Sequence, residues 1–119
     1  MSKIKILCID DAKEVVDFLK VSLELEGYEV DIAYNGQEGL NKIEKNKYDI
    51  VITDLQMPKM DGWQLCEEIK NRDETKDLPI IALSIFSPEP SRKPCADVHL
   101  VKPFDFHYLK SEIEKLVKK

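Results

Sequence analysis

Five residues that could do chemistry stand where short apolar runs end: Asp10 and Asp11 after Ile4 to Ile9, Asp54 after Tyr48 to Thr53, Ser84 after Leu78 to Leu83, and Lys102 after Val98 to Val101. Each has a plain explanation when taken alone. An aspartate after a strand commonly caps the next helix or forms a turn, and a Lys-Pro pair commonly marks a loop. Together they put three carboxylates, one hydroxyl and one ammonium at the ends of separate elements. Two like charges ~4 Å apart repel by about 1 kcal/mol in water and nearer ~4 kcal/mol at a surface-like dielectric. A hard divalent cation offsets that repulsion, and an oxygen-only donor set favours Mg²⁺, Mn²⁺ or Ca²⁺ over zinc. Lys102 adds a point charge for a phosphoryl oxygen, and the Ser84 hydroxyl adds a donor. Nucleophile, metal, cation and hydroxyl are the parts of phosphoryl transfer onto a carboxylate.

The elements that must position these residues follow from the apolar pattern. Ile4 to Ile9 reads as a strand, and Ala12 to Glu26 repeats Val15, Phe18, Leu19 and Leu23 at helical spacing before Gly27, which stands where a helix C′ residue belongs. Tyr28 to Ala33 is a second strand, and Asn35-Gly36 leads into a helix carrying Leu40 and Ile43. A third strand precedes Asp54, and a helix with Trp63, Leu65, Cys66 and Ile69 follows Asp61-Gly62. Two further strands end at Ser84 and Lys102, and a last helix puts Phe106, Leu109, Ile113 and Leu116 on one face. Strands alternating with helices imply a parallel sheet covered on both faces. The nearly continuous apolar strands agree, because parallel strands are buried on both sides. Right-handed crossovers make this an α/β, doubly wound sheet, and such sheets bind ligands at the carboxyl ends of their strands.

A length of 119 residues suits one domain, 1–119, and a 43% hydrophobic content is enough for a packed core. The net charge of −5 argues against a nucleic-acid surface and against an acidic membrane as partner, and no apolar run is long enough to span a bilayer. The three cysteines, Cys8, Cys66 and Cys95, form no C-x-x-C and are expected as reduced thiols of a cytoplasmic protein. No signal peptide is read at the N-terminus.

At this point the chain resembles the receiver domains of two-component response regulators, over essentially its whole length. The matching motifs are Ile9-Asp10-Asp11, Asp54-Leu55-Gln56-Met57-Pro58 followed by Asp61-Gly62, Ala82-Leu83-Ser84, and Lys102-Pro103-Phe104. The resemblance implies a flavodoxin-like five-stranded sheet of order 2-1-3-4-5. It implies Asp54 as phosphoacceptor, taking a phosphoryl group from a histidine kinase or phosphotransfer protein. It implies Mg²⁺ (or Mn²⁺) held by Asp10, Asp11, Asp54 and the main-chain oxygen of Gln56. It also implies that Lys102 holds the phosphoryl group and that Ser84 is a switch hydroxyl. Pro58 and Gly62 are read as turn formers and Trp63 as a packing residue. Turnover is expected only as self-phosphorylation and slow self-dephosphorylation, so the chain is not expected to be an enzyme; an output partner and a homodimer are open expectations.

Three features depart from the family pattern. Pro88, Pro90 and Pro94 crowd the short stretch between Ser84 and Lys102. Proline inside a helix costs about 3 kcal/mol, so the fourth helix is expected to be missing or degenerate. His99 stands where the family carries an aromatic switch residue, which leaves it as either a pH-responsive switch or a surface histidine on an edge strand. Ile85 follows Ser84 where a small residue is usual, and is expected to alter the phosphoryl lifetime. The rival functions are a receiver-like binding module independent of phosphorylation, and a phosphohydrolase, for which no second acid/base pair or substrate cap is evident.

Overall fold

The computed structural model describes residues 3–55, 62–84 and 95–117. Within them the elements run β1 (Lys5–Ile9), α1 (Lys13–Leu25), β2 (Glu29–Ala33), α2 (Gly36–Lys45), β3 (Ile50–Asp54), α3 (Gly62–Lys70), β4 (Ile80–Ser84), β5 (Val98–Val101) and α4 (Phe106–Val117). All strand pairs are parallel, and the sheet order is β2-β1-β3-β4-β5. The order reverses between β1 and β3, so the crevice at their carboxyl ends is the place where such a sheet binds ligands.

Strand alternation divides the core in two. Ile6 and Cys8 of β1, Ile50 and Ile52 of β3 and Ile81 and Leu83 of β4 pack with Leu19 and Leu23 of α1 and Leu109 and Ile113 of α4. On the opposite face Leu7, Ile9, Val51 and Ile80 pack with Leu40 and Ile43 of α2 and Leu65, Cys66 and Ile69 of α3. The helices thus form two layers around a sheet whose central strand, β3, is buried at every position. In α1 the buried face is Val16, Leu19 and Leu23, whereas Phe18, which shares the helical spacing, is exposed. The 3.6-residue period admits both sets, and the α1–sheet contact selects the one containing Val16.

Local signals end the helices as the sequence implies. Gly27 has φ +94°, the left-handed conformation that glycine adopts without a side-chain penalty. Its N–H donates to the Glu24 carbonyl at 3.0 Å and the Tyr28 N–H donates to the Leu23 carbonyl at 3.2 Å, a Schellman closure that delivers the chain directly into β2. Asn35 caps α2 by accepting from the Glu38 N–H at 2.8 Å. At Gly39 the reason for glycine is a close approach: a Cβ there would collide with the Ile9 side chain on β1.

Two expectations are corrected. The chain does not lack a fourth helix, because the described residues carry four, the last being α4 at Phe106–Val117. That helix contains no proline and buries Leu109 and Ile113, one turn apart, against the sheet. The residues from Ile85 to Pro94, which include the prolines behind that expectation, lie outside the described residues. The cysteines are not all reduced thiols: Cys66 and Cys95 are joined in a disulfide with a Cα–Cα distance of 6.1 Å, and Cys8 remains a buried free thiol. The register brings α3 beside the start of β5, a proximity that a sequence separation of 29 does not reveal.

Candidate functional site

β1 ends at Ile9, so Asp10 and Asp11 leave the sheet at the reversal of strand order, while β3 carries its apolar run to Asp54 as its last residue. The three aspartates each place a carboxylate oxygen within 4.8 Å of the others. Asp10 and Asp54 are buried, at 1% and 5% exposure, and Asp11 is exposed. The donor set is entirely hard oxygen and one member faces solvent, so it fits a small divalent cation that keeps part of its hydration. Gln56, whose main-chain oxygen was expected to complete this set, lies outside the described residues.

Backbone groups hold the aspartates in place. Asp10 Oδ1 accepts from the Ala12 N–H at 2.9 Å, and the Asp10 N–H donates to the Ala33 carbonyl at 3.2 Å. The Leu55 N–H donates to the Leu83 carbonyl at 2.9 Å, which extends the β3–β4 ladder past Asp54. Thr53, buried beside Asp54, donates its hydroxyl to the Asp54 carbonyl at 3.0 Å.

β5 brings Lys102 to the same crevice, its N–H donating to the Ser84 carbonyl at 2.7 Å and the Lys102–Pro103 peptide being cis. Lys102 Nζ lies 2.9 Å from Asp10 Oδ2 and 3.5 Å from Asp54 Oδ1. Burial pulls this ammonium down, but its hydrogen bond to Asp10 and the charges of Asp10 and Asp54 outweigh burial and raise it above the ordinary lysine value. Lys102 is therefore cationic throughout the neutral range. Its stabilising contribution is complete below the ordinary lysine value and is lost only as pH rises through the raised one. Ser84, at the end of β4, is buried at 1% exposure.

The structure thus brings Asp10, Asp11, Asp54 and Lys102 together, with Ser84 at the neighbouring strand end. His99 lies elsewhere, as the second residue of β5 in register with Ala82. It stands on an edge strand, yet its Nε2 is buried and has no hydrogen-bond partner among the described residues. Trp63 lines a small, largely apolar cavity with Thr53, Leu55 and His99, consistent with packing. Sequence reasoning did not find the Lys102–Asp10 ion pair, because it spans 92 residues and follows only from the strand order.

The aspartate cluster makes a direct prediction. Without metal, Asp11→Asn removes one of three mutually repelling charges, so the variant should unfold a few degrees above the parent protein in chelator. In Mg²⁺ the order should invert, because the variant loses the ligand-linked stabilisation. Paired thermal unfolding scans check both signs.

The sequence matches the model of the response regulator receiver domain over residues 6–114. Response regulator ArlR of Staphylococcus saprophyticus is 34% identical over 116 residues, covering 97% of this chain and 53% of that protein. The Staphylococcus aureus ArlR is 33% identical over the same length. The chain therefore spans about half the length of the curated relatives it matches. Among solved structures, a putative response regulator from Chloroflexus aurantiacus superposes with a TM-score of 0.90 at 32% identity, covering 99% of this chain and 100% of that one. Response regulator TrrA from Thermotoga maritima, in complex with Mg(2+)-BeF, gives a TM-score of 0.86 at 39% identity, with 95% and 98% covered. The receiver domain of a Syntrophus aciditrophicus histidine kinase gives 0.88 at 31% identity, with 95% and 89% covered. With the fold, the strand order and the carboxylate crevice in agreement, the chain belongs to the response regulator receiver domain family.

Proposed function

We propose that this receiver domain accepts a phosphoryl group on Asp54 from a phosphohistidine of a histidine kinase or phosphotransfer protein, and relays the event through a conformational change. The observation that carries this reading is the convergence of the Asp10, Asp11 and Asp54 carboxylates within 4.8 Å of one another beside Lys102. A similar protein, TrrA, has been crystallised in complex with Mg(2+)-BeF, which supports the same metal preference here.

Asp54 acts as the nucleophile. A carboxylate oxygen forms the new bond to phosphorus as the bond to the donor breaks, and the donor leaves with that electron pair. Lys102, already 3.5 Å from Asp54, moves charge from Asp10 toward the phosphoryl oxygens without needing a change of protonation. The Ser84 hydroxyl donates to another phosphoryl oxygen. Asp10 and Asp11, with Asp54, would hold Mg²⁺ or Mn²⁺, which when bound neutralises the clustered carboxylates and the incoming phosphoryl oxygens. Turnover in this reading is confined to self-phosphorylation and slow self-dephosphorylation. We place the protein in the cytoplasm, in keeping with its kinase partner; no described helix is long and apolar enough to cross a membrane.

The test is incubation with a small acyl phosphate in Mg²⁺, read by intact mass. The protein should gain one phosphoryl group and the Asp54→Asn variant none. Equal labelling of both would take the phosphoryl group away from Asp54, and labelling of neither returns the domain to a phosphorylation-independent binding module.

A further inference from the structure

The start of β5 is fastened to the rest of the domain at adjacent points. Cys95, partly exposed, is bonded to Cys66, which sits on α3 at 2% exposure. Two residues on, Asp97 Oδ2 accepts from the Ile80 N–H at 2.8 Å and lies 3.5 Å from Lys70 Nζ at the end of α3. The Cα–Cα distance of 6.1 Å is within the ordinary range for a bridged pair, so the disulfide requires no backbone movement. Cys66 and Cys95 both line the small cavity that Trp63 and His99 also line. His99 lies four residues after Cys95, and its Nε2 finds no hydrogen-bond partner among the described residues. His99 thus shares its cavity with both ends of the disulfide.

We propose that Cys66 and Cys95 are a reversible redox-modification site, closed by a small-molecule disulfide and opened by the corresponding thiol, whose state sets the environment of His99 on β5. In the closing direction the Cys95 thiolate attacks one sulfur of the small disulfide. The S–S bond breaks, a small thiolate leaves and takes up a proton, and a mixed disulfide stands on Cys95. The Cys66 thiolate then attacks Cys95 Sγ and expels the second small thiol. Overall, two protein thiols lose two electrons and two protons, and one small disulfide becomes two thiols. Cys95 is the entry point because it is the partner that solvent reaches. Cys8 takes no part: it is fully buried, and burial pushes its thiol up to about 12.

The test equilibrates the protein across glutathione buffers from fully reduced to fully oxidised. Free thiols are trapped by alkylation and assigned by peptide mass, and the histidine ring resonances are recorded in parallel. Cys66 and Cys95 should gain and lose the alkyl label together, at least tenfold across the series, with Cys8 unlabelled throughout. The His99 ring resonance should move with the oxidised fraction while that of His107, on α4, stays fixed. Cys95→Ser, which leaves Cys66 in the core, should abolish both responses. A bridge that persists in reduced glutathione overturns the proposal, as do two thiols that stay open, or capped only by glutathione, in the oxidised buffer. A His99 resonance identical in both states overturns it equally.

Discussion

Lys102→Ala is expected to slow phosphoryl transfer to Asp54 by on the order of 10²–10³-fold, the usual cost of removing one preorganised electrostatic stabiliser. The geometry explains the size. Lys102 Nζ lies 2.9 Å from Asp10 Oδ2 and 3.5 Å from Asp54 Oδ1, and both carboxylates are buried. Truncation leaves them facing one another without that cation, and loses the group that meets the phosphoryl oxygens. The same change should lower metal-free stability by about 2–3 kcal/mol, the low side of what breaking a buried ion pair costs, because the lysine side chain keeps 20% exposure. Mg²⁺ should restore part of the stability but little of the rate, since it relieves the repulsion without replacing a donor to the phosphoryl group. Rapid-quench labelling and denaturant unfolding, each with and without Mg²⁺, separate the two losses. A variant with the parent rate and the parent stability would remove Lys102 from the site.

Ile52→Ala should be the most damaging single truncation along the strand that carries Asp54. Ile52 is fully buried at the centre of β3, in register with Cys8 of β1 and Ile81 of β4, and it belongs to the core formed with α1 and α4. Strands on both sides leave little room for collapse, so the loss of transfer energy and the cavity combine to about 3–4 kcal/mol. Against a total stability of about 5–15 kcal/mol this is a large fraction, and the unfolding midpoint should fall by roughly 10–20 °C. Val101→Ala on the exposed edge of β5 is the control, and it should stay within about 0.5 kcal/mol of the parent. An Ile52→Ala midpoint within a few degrees of the parent would mean that β3 packs less tightly than its burial indicates.

The arrangement of strands and helices is readable from residues because each buried strand is a short apolar run and each helix repeats its apolar residues every three or four positions. Ile50, Val51 and Ile52 mark β3 without ambiguity, and Gly27 marks the end of α1 because only its left-handed backbone closes the Schellman turn. The convergence of Asp10, Asp11, Asp54 and Lys102 is readable for a related reason: chemistry placed at strand ends converges once the strands are parallel. Periodicity fails where two faces satisfy it equally, as with Phe18 and Val16 on α1. It also fails where contact depends on register between distant segments. Cys66 and Cys95 carry no spacing signal, and their pairing follows only from α3 lying beside the start of β5. The proline argument between β4 and β5 weighed one stretch by local propensity and took the domain to be short of a helix, whereas four helices stand in the described residues.

The most direct measurement is the rate at which Asp54 gains mass from a small acyl phosphate as Mg²⁺ is titrated from chelator to saturation. The carboxylate crevice requires a hyperbolic rise from near zero to a plateau, with the added mass confined to the peptide containing Asp54. A rate unchanged between chelator and saturating Mg²⁺, or mass appearing on any other residue, would contradict the account.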